Sequence, residues 1–131
     1  MKNDVKRSKQ KLFNILVVDD EPGIRELLSK LLSIQGQYLV KTASDGIDAY
    51  NKLCIEEFDL ILSDHDMPNE TGIGLITKAK VLNPDIKTIL MTGGDIELLR
   101  KEAANLCVCS YVKKPFVIDE ILGLVDKTLA E

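Results

Sequence analysis

The chain of 131 residues has no tryptophan, 5% aromatic residues, four prolines, three cysteines and a single histidine. Each scarcity excludes something. Cys54, Cys107 and Cys109 are odd in number and lack Cys-x-x-Cys spacing, which argues against a disulfide framework and for a reducing, cytoplasmic setting. Cys107-Val108-Cys109 could form half a metal site, but no second Cys/His cluster completes it, so buried or semi-buried thiols are expected. No apolar run approaches the ~20 residues needed to cross a bilayer, so no membrane segment is expected. Lys2, Lys6, Arg7, Lys9 and Lys11 are not followed by the apolar core of a signal peptide. They predict a basic, solvated tail over residues 1–13 and one folded domain over 14–131. No Pro/Gly/Ser-rich linker divides the chain, and a net charge of −4 argues against nucleic acid as a direct ligand.

Two periodicities alternate along the chain. Short β-rich runs occur at residues 15–18, 38–43, 60–63, 88–91 and 111–112. Between them apolar residues recur three and four apart. The first helical stripe is Ile24, Leu27, Leu28, Leu31 and Leu32, with Pro22 at its start and Gly36 beyond its end. Later stripes are Ile47, Tyr50, Cys54; Leu75, Ile76, Ala79, Leu82; Ile96, Leu99, Ala103, Leu106; and Ile118, Ile121, Leu122, Val125, Leu129. Strand–helix alternation repeated in this way predicts an α/β fold, a parallel sheet covered on both faces.

In open sheets of this kind, ligands bind beyond the carboxyl ends of the strands. Those ends carry Asp19-Asp20, Asp64, Thr92 and Lys114. Three carboxylates are thereby aimed at one edge, where unit charges ~4 Å apart repel by about 4 kcal/mol at an effective dielectric near 20. Such crowding is tolerated where a cation, a proton or a chemical task sits. The pattern points to a magnesium-dependent phosphoryl site.

Four segments, in order and each at a strand end, carry a resemblance. Val-Val-Asp-Asp-Glu-Pro (17–22), Leu-Ser-Asp-His-Asp-Met-Pro (62–68), Leu-Met-Thr-Gly (90–93) and Tyr-Val-Lys-Lys-Pro-Phe (111–116) resemble the CheY-like receiver domain of bacterial two-component response regulators. The match runs from about Asn14 to Leu129. It implies a doubly wound, five-stranded, flavodoxin-like (βα)5 sheet of order 2-1-3-4-5. It also implies that Asp64 accepts a phosphoryl group from a phosphohistidine of a sensor histidine kinase or histidine phosphotransferase.

The same resemblance assigns roles. Asp20 and Asp64 would ligate Mg²⁺ directly, Asp19 would act nearby through water, and the Asp66 backbone carbonyl would complete the protein's share. Asp64 is expected to stay ionised, favoured by Mg²⁺ and Lys114. Lys114 would reach the phosphoryl oxygens, and a cis Lys114–Pro115 bond is implied. The Thr92 hydroxyl would lack a partner before phosphorylation and gain one afterwards, with Tyr111 turning inward as it moves. The implied partners are the phosphodonor and a downstream protein target on the last helix-strand-helix face, with no nucleic acid or membrane contact. The domain would be a signalling phosphoacceptor with self-catalysed phosphotransfer and autodephosphorylation, not an enzyme with turnover.

There are departures from the family pattern. Cys107 stands where many receivers have a left-handed glycine, so an irregular loop is expected before the last strand. Thr71 stands where an acidic residue is frequent, with no evident chemical consequence. His65 is expected to turn away from Asp64 into loop packing or solvent. Asp66 and Gly94 resemble positions that tune phosphoryl lifetime, with a sign the sequence does not fix. No DNA-binding or enzymatic segment follows the last helix, so a stand-alone or excised receiver is expected. Two other readings remain open at this point. Asp64-His65-Asp66 also reads as the Asp-x-Asp of a haloacid-dehalogenase-type phosphohydrolase, although the acidic pair precedes it and no cap insertion is present. A pseudo-receiver that binds partners without taking phosphate would generally lack some of these residues.

Overall fold

Successive residues of a strand face opposite sides of its sheet, and here that alternation decides where each helix lies. The computed structural model describes residues 12–131, so residues 1–11 of the expected tail lie outside the described residues. Phe13, placed in the tail by sequence, opens the first strand. The elements are β1 (Phe13–Val18), α1 (Pro22–Ser33), β2 (Tyr38–Ala43), α2 (Gly46–Ile55), β3 (Leu60–Asp64), α3 (Gly72–Leu82), β4 (Lys87–Thr92), α4 (Ile96–Glu102), β5 (Ser110–Lys113) and α5 (Ile118–Ala130). All neighbouring strands pair in parallel, in the order β2-β1-β3-β4-β5. This is the expected topology.

Ile15 and Val17 of β1, with Leu60 and Leu62 of β3, face one side and meet Leu28 and Leu32 of α1 and Ile121 and Val125 of α5. Leu16, Val18 and Ile61 face the other, against Ala49 of α2 and Leu75 and Ala79 of α3. Leu90 continues that second face under α4, with Ile76, Leu99 and Ala103. Full burial of each such aliphatic side chain contributes roughly 1.5–3 kcal/mol, so these layers hold the strand ends in place. The Tyr38 hydroxyl donates to Asp126, tying edge strand β2 to α5.

Local chemistry starts and stops the helices. Pro22 occupies the first turn of α1, where a missing N–H costs nothing. Asp45, Thr71 and Asp95 cap α2, α3 and α4 through their side-chain oxygens. Thr71 therefore has a consequence that sequence reading missed: it accepts from the Gly74 amide at 3.1 Å. The fourth helix is shorter than its stripe suggests. It ends at Glu102, a 3₁₀ turn takes Ala104–Leu106, and Cys107 adopts the left-handed conformation at φ 54°. The loop is irregular as expected, with cysteine in the conformation glycine adopts freely.

The cysteine expectation fails: Cys54, Cys107 and Cys109 are all exposed. Cys54 lies at the end of α2 on its outer side, and the other two flank the turn into edge strand β5, where no layer covers them. Among the described residues, no helix is long and apolar enough to cross a membrane.

Candidate functional site

Asp19 follows β1 directly, and its side chain is fully buried. Its carboxylate accepts from the Glu21 amide at 2.9 Å, while the Arg25 guanidinium donates to its backbone carbonyl at 2.7 Å. Asp64 is the last residue of β3 and is 2% exposed. Asp20 is exposed at the rim. Carboxylate oxygens of these three residues lie within 4.8 Å of one another. The convergence expected from the strand pattern is present.

Gly72 makes room for it. A Cβ there would lie 2.8 Å from the His65 Cα and 2.9 Å from the Asp64 carbonyl oxygen. The start of α3 can approach the end of β3 this closely only without a side chain. The Nδ1 of His65 accepts from the Ile73 amide at 3.3 Å, so the histidine packs the loop, as expected.

Lys114 projects into the carboxylates. Its ammonium lies 2.9 Å from Asp19, 3.3 Å from Asp64 and 3.8 Å from Glu21. Against the cost of burial, Asp19 and Asp64 hold this ammonium above the usual lysine range. The Lys114–Pro115 bond is cis. Burial pushes the Asp64 carboxyl up to about 6, and the Asp19 charge adds to that; the Asp66 amide, at 3.1 Å, and Lys114 pull the other way. Lys114 favours the ionised form, but desolvation outweighs it in the net shift; at about 6 the carboxyl is still largely ionised at neutral pH. Three carboxylates and one ammonium sum to a formal −2, the charge a divalent cation would neutralise, and the donors are all oxygens of the kind Mg²⁺ takes.

The other side of the rim corrects a further expectation. Thr92 ends β4, one residue beyond Met91, the register partner of Asp64. Its hydroxyl is not without a partner: it donates to the Asp66 carboxylate at 2.8 Å and accepts from the Gly94 amide at 3.0 Å. The Gly93 amide also donates to Asp66, at 3.0 Å. Against some desolvation, these two donors hold the Asp66 carboxyl below its ordinary range. Sequence reading considered Asp66 for its backbone carbonyl and its charge; nothing in the sequence showed that its side chain turns to β4. It also missed Lys113, whose ammonium donates to the Gly93 carbonyl at 3.0 Å and to that of Gly94. Strand alternation was the available signal, since it puts Lys113 and Lys114 on opposite sides. Tyr111 is half-buried beside Leu90 and Leu99, with the Arg100 guanidinium 4.8 Å from its ring centre.

The sequence model of the response regulator receiver domain matches residues 15–126. The chain belongs to that family. It is 36% identical over 116 residues to the sporulation initiation phosphotransferase F of Bacillus subtilis, covering 88% of this chain and 92% of that protein. It is 30% identical to the DNA-binding transcriptional regulator NtrC of Rhizobium meliloti over 89% of this chain, but spans only 24% of that longer protein. Among solved structures, the response regulator TrrA of Thermotoga maritima, in complex with Mg²⁺ and BeF, superposes with a TM-score of 0.78 at 35% identity, covering 89% of this chain and 99% of that one. The protein is a phosphoacceptor receiver domain of two-component or phosphorelay signalling, and the phosphohydrolase and pseudo-receiver readings are not favoured.

Proposed function

We propose that Asp64 is the phosphoacceptor, taking its phosphoryl group from a phosphohistidine of a sensor histidine kinase or histidine phosphotransferase. The observation that carries this is the meeting of buried Asp64 with Asp19, Asp20 and Lys114 at one rim. An oxygen of Asp64 forms the new P–O bond as the P–N bond to the donor imidazole breaks, and the electron pair leaves with the ring nitrogen. Little further covalent work is needed, because positioning and charge neutralisation dominate phosphoryl transfer. Asp20, Asp64 and the Asp66 carbonyl would hold Mg²⁺, with Asp19 acting through water. Bound there, Mg²⁺ supplies neutralisation of charge on the transferred oxygens. The magnesium complex of the Thermotoga protein supports this assignment.

Lys114 exchanges part of its contact with Asp19 and Asp64 for the phosphoryl oxygens, and the Thr92 hydroxyl donates to one of them. Tyr111 follows Thr92, which alters the face formed by α4, β5 and α5 for a downstream protein target. The phosphodonor approaches over an adjoining groove of about 550 Å³, lined by Ile24, Leu27, Phe116 and Ile118 beside Lys114. The protein acts in the cytoplasm as a signalling domain with its own phosphotransfer and autodephosphorylation, without direct nucleic acid or membrane contact.

The test is incubation with Mg²⁺ and acetyl phosphate, followed by intact mass. One phosphoryl adduct is expected in the wild type and none in Asp64→Asn. A wild type that forms no adduct and binds no beryllofluoride would be a binding module instead.

A further inference from the structure

A hydroxyl group has one proton, and a backbone amide has one. In this protein the hydroxyl proton of Thr92, at the end of β4, and the amide proton of Gly93, just beyond it, go to a single carboxylate oxygen of Asp66. The contact is held from three sides. The Asp66 amide is bonded to the Asp64 carboxylate, which fixes the backbone beneath the side chain. The Gly94 amide donates to the Thr92 oxygen, so the hydroxyl proton is directed away from Gly94. Lys113 takes the Gly93 carbonyl on the far side of the same planar peptide unit that carries the Gly94 amide. An anionic oxygen already holds the hydroxyl that, on the proposed function, would donate to an arriving phosphoryl oxygen.

We propose that the Asp66 carboxylate is an internal competitor of the phosphoryl group, holding the Thr92 hydroxyl and Gly93 amide until a bound phosphoryl displaces it, and so setting a threshold for activation. This rests on the reading of Asp64 as phosphoacceptor. On this reading the acidic side chain at position 66 opposes phosphorylation. Because Asp66 is solvent-exposed, water competes for it and the effect is moderate.

The test compares wild type, Asp66→Ala, Asp66→Asn, Thr92→Ala and the Asp66→Ala/Thr92→Ala double variant, titrated with beryllofluoride in Mg²⁺ by calorimetry. Asp66→Ala is expected to bind about fivefold more tightly than wild type, and Asp66→Asn to fall between them. In the Thr92→Ala background the gain should shrink to about twofold or less, since the contested hydroxyl is gone. A gain of equal size in both backgrounds means simple charge repulsion and overturns the competition, as does unchanged or weaker binding by Asp66→Ala. The Gly93 amide resonance, recorded without beryllofluoride, reports the contact independently of function. It should move upfield in Asp66→Ala, and an unmoved resonance overturns the proposal. If no variant binds beryllofluoride while that resonance does move, the phosphoacceptor reading fails and the competition falls with it, although the contact stands.

Discussion

The two halves of the rim are built on opposite terms. At the ends of β1 and β3, Asp19, Asp20 and Asp64 crowd together with one ammonium among them, leaving an excess of negative charge. At the ends of β4 and β5, the polar groups are already satisfied within the protein. Thr92 and Gly93 donate to Asp66, and the Gly93 and Gly94 carbonyls accept from Lys113. The first half gains stability when positive charge is added. The second must release bonds before it can make new ones. A site of this construction responds when both happen together, which is the property a switch requires.

The sharpest way to break the comparison is to remove the one cation of the crowded half. Lys114→Met leaves Asp19 and Asp64 buried without a cationic partner and should cost about 3 kcal/mol at neutral pH in chelator, read from urea unfolding. A loss below about 1 kcal/mol would mean that the carboxylates do not depend on it.

The next effect concerns Asp64 and pH. Its folded-state value of about 6 lies above the unfolded one, near 4, so the folded protein binds the proton more tightly. This contribution to stability is fully present below about pH 4 and is lost as pH rises through about 6. In chelator, wild type and Asp64→Asn should therefore be similarly stable near pH 4. Above pH 6 the variant should be the more stable by about 2 kcal/mol. A pH-independent difference between their urea midpoints would contradict this.

The smallest effect lies away from the rim, in the turn before the start of β5. Cys107 holds a left-handed conformation on the way into β5, so Cys107→Gly relieves strain at some cost in unfolded-state entropy. A net gain of about 0.5 kcal/mol is expected, measured by thermal unfolding. Destabilisation would show that the thiol makes packing contacts that outweigh the strain.

Much of this was legible in the residues. Strand–helix alternation foretold a sheet covered on both faces, and the strand-end positions of Asp19, Asp20, Asp64, Thr92 and Lys114 foretold the rim. The order 2-1-3-4-5 came from resemblance and not from periodicity, because pattern cannot say which strands are neighbours. The fourth helix was overextended because an apolar stripe runs on through Leu106, although the backbone had already left α-helical geometry at Ala103. Thiol burial was misjudged for a related reason. Residue type gives an average tendency, whereas exposure depends on whether another layer happens to cover that position.

Side-chain periodicity, turn chemistry and charge placement are local properties, and they alone established a layered α/β protein with an acidic edge. Which acceptor the Thr92 hydroxyl chooses is not local. Asp66 and Thr92 lie 26 positions apart, and only the packing of β3 beside β4 brings them to 2.8 Å. The same holds for the raised Asp64 carboxyl, whose cause is the protein folded around it. Desolvation and hydrogen-bond partnership arise from neighbours in space, so they were decided by the tertiary structure.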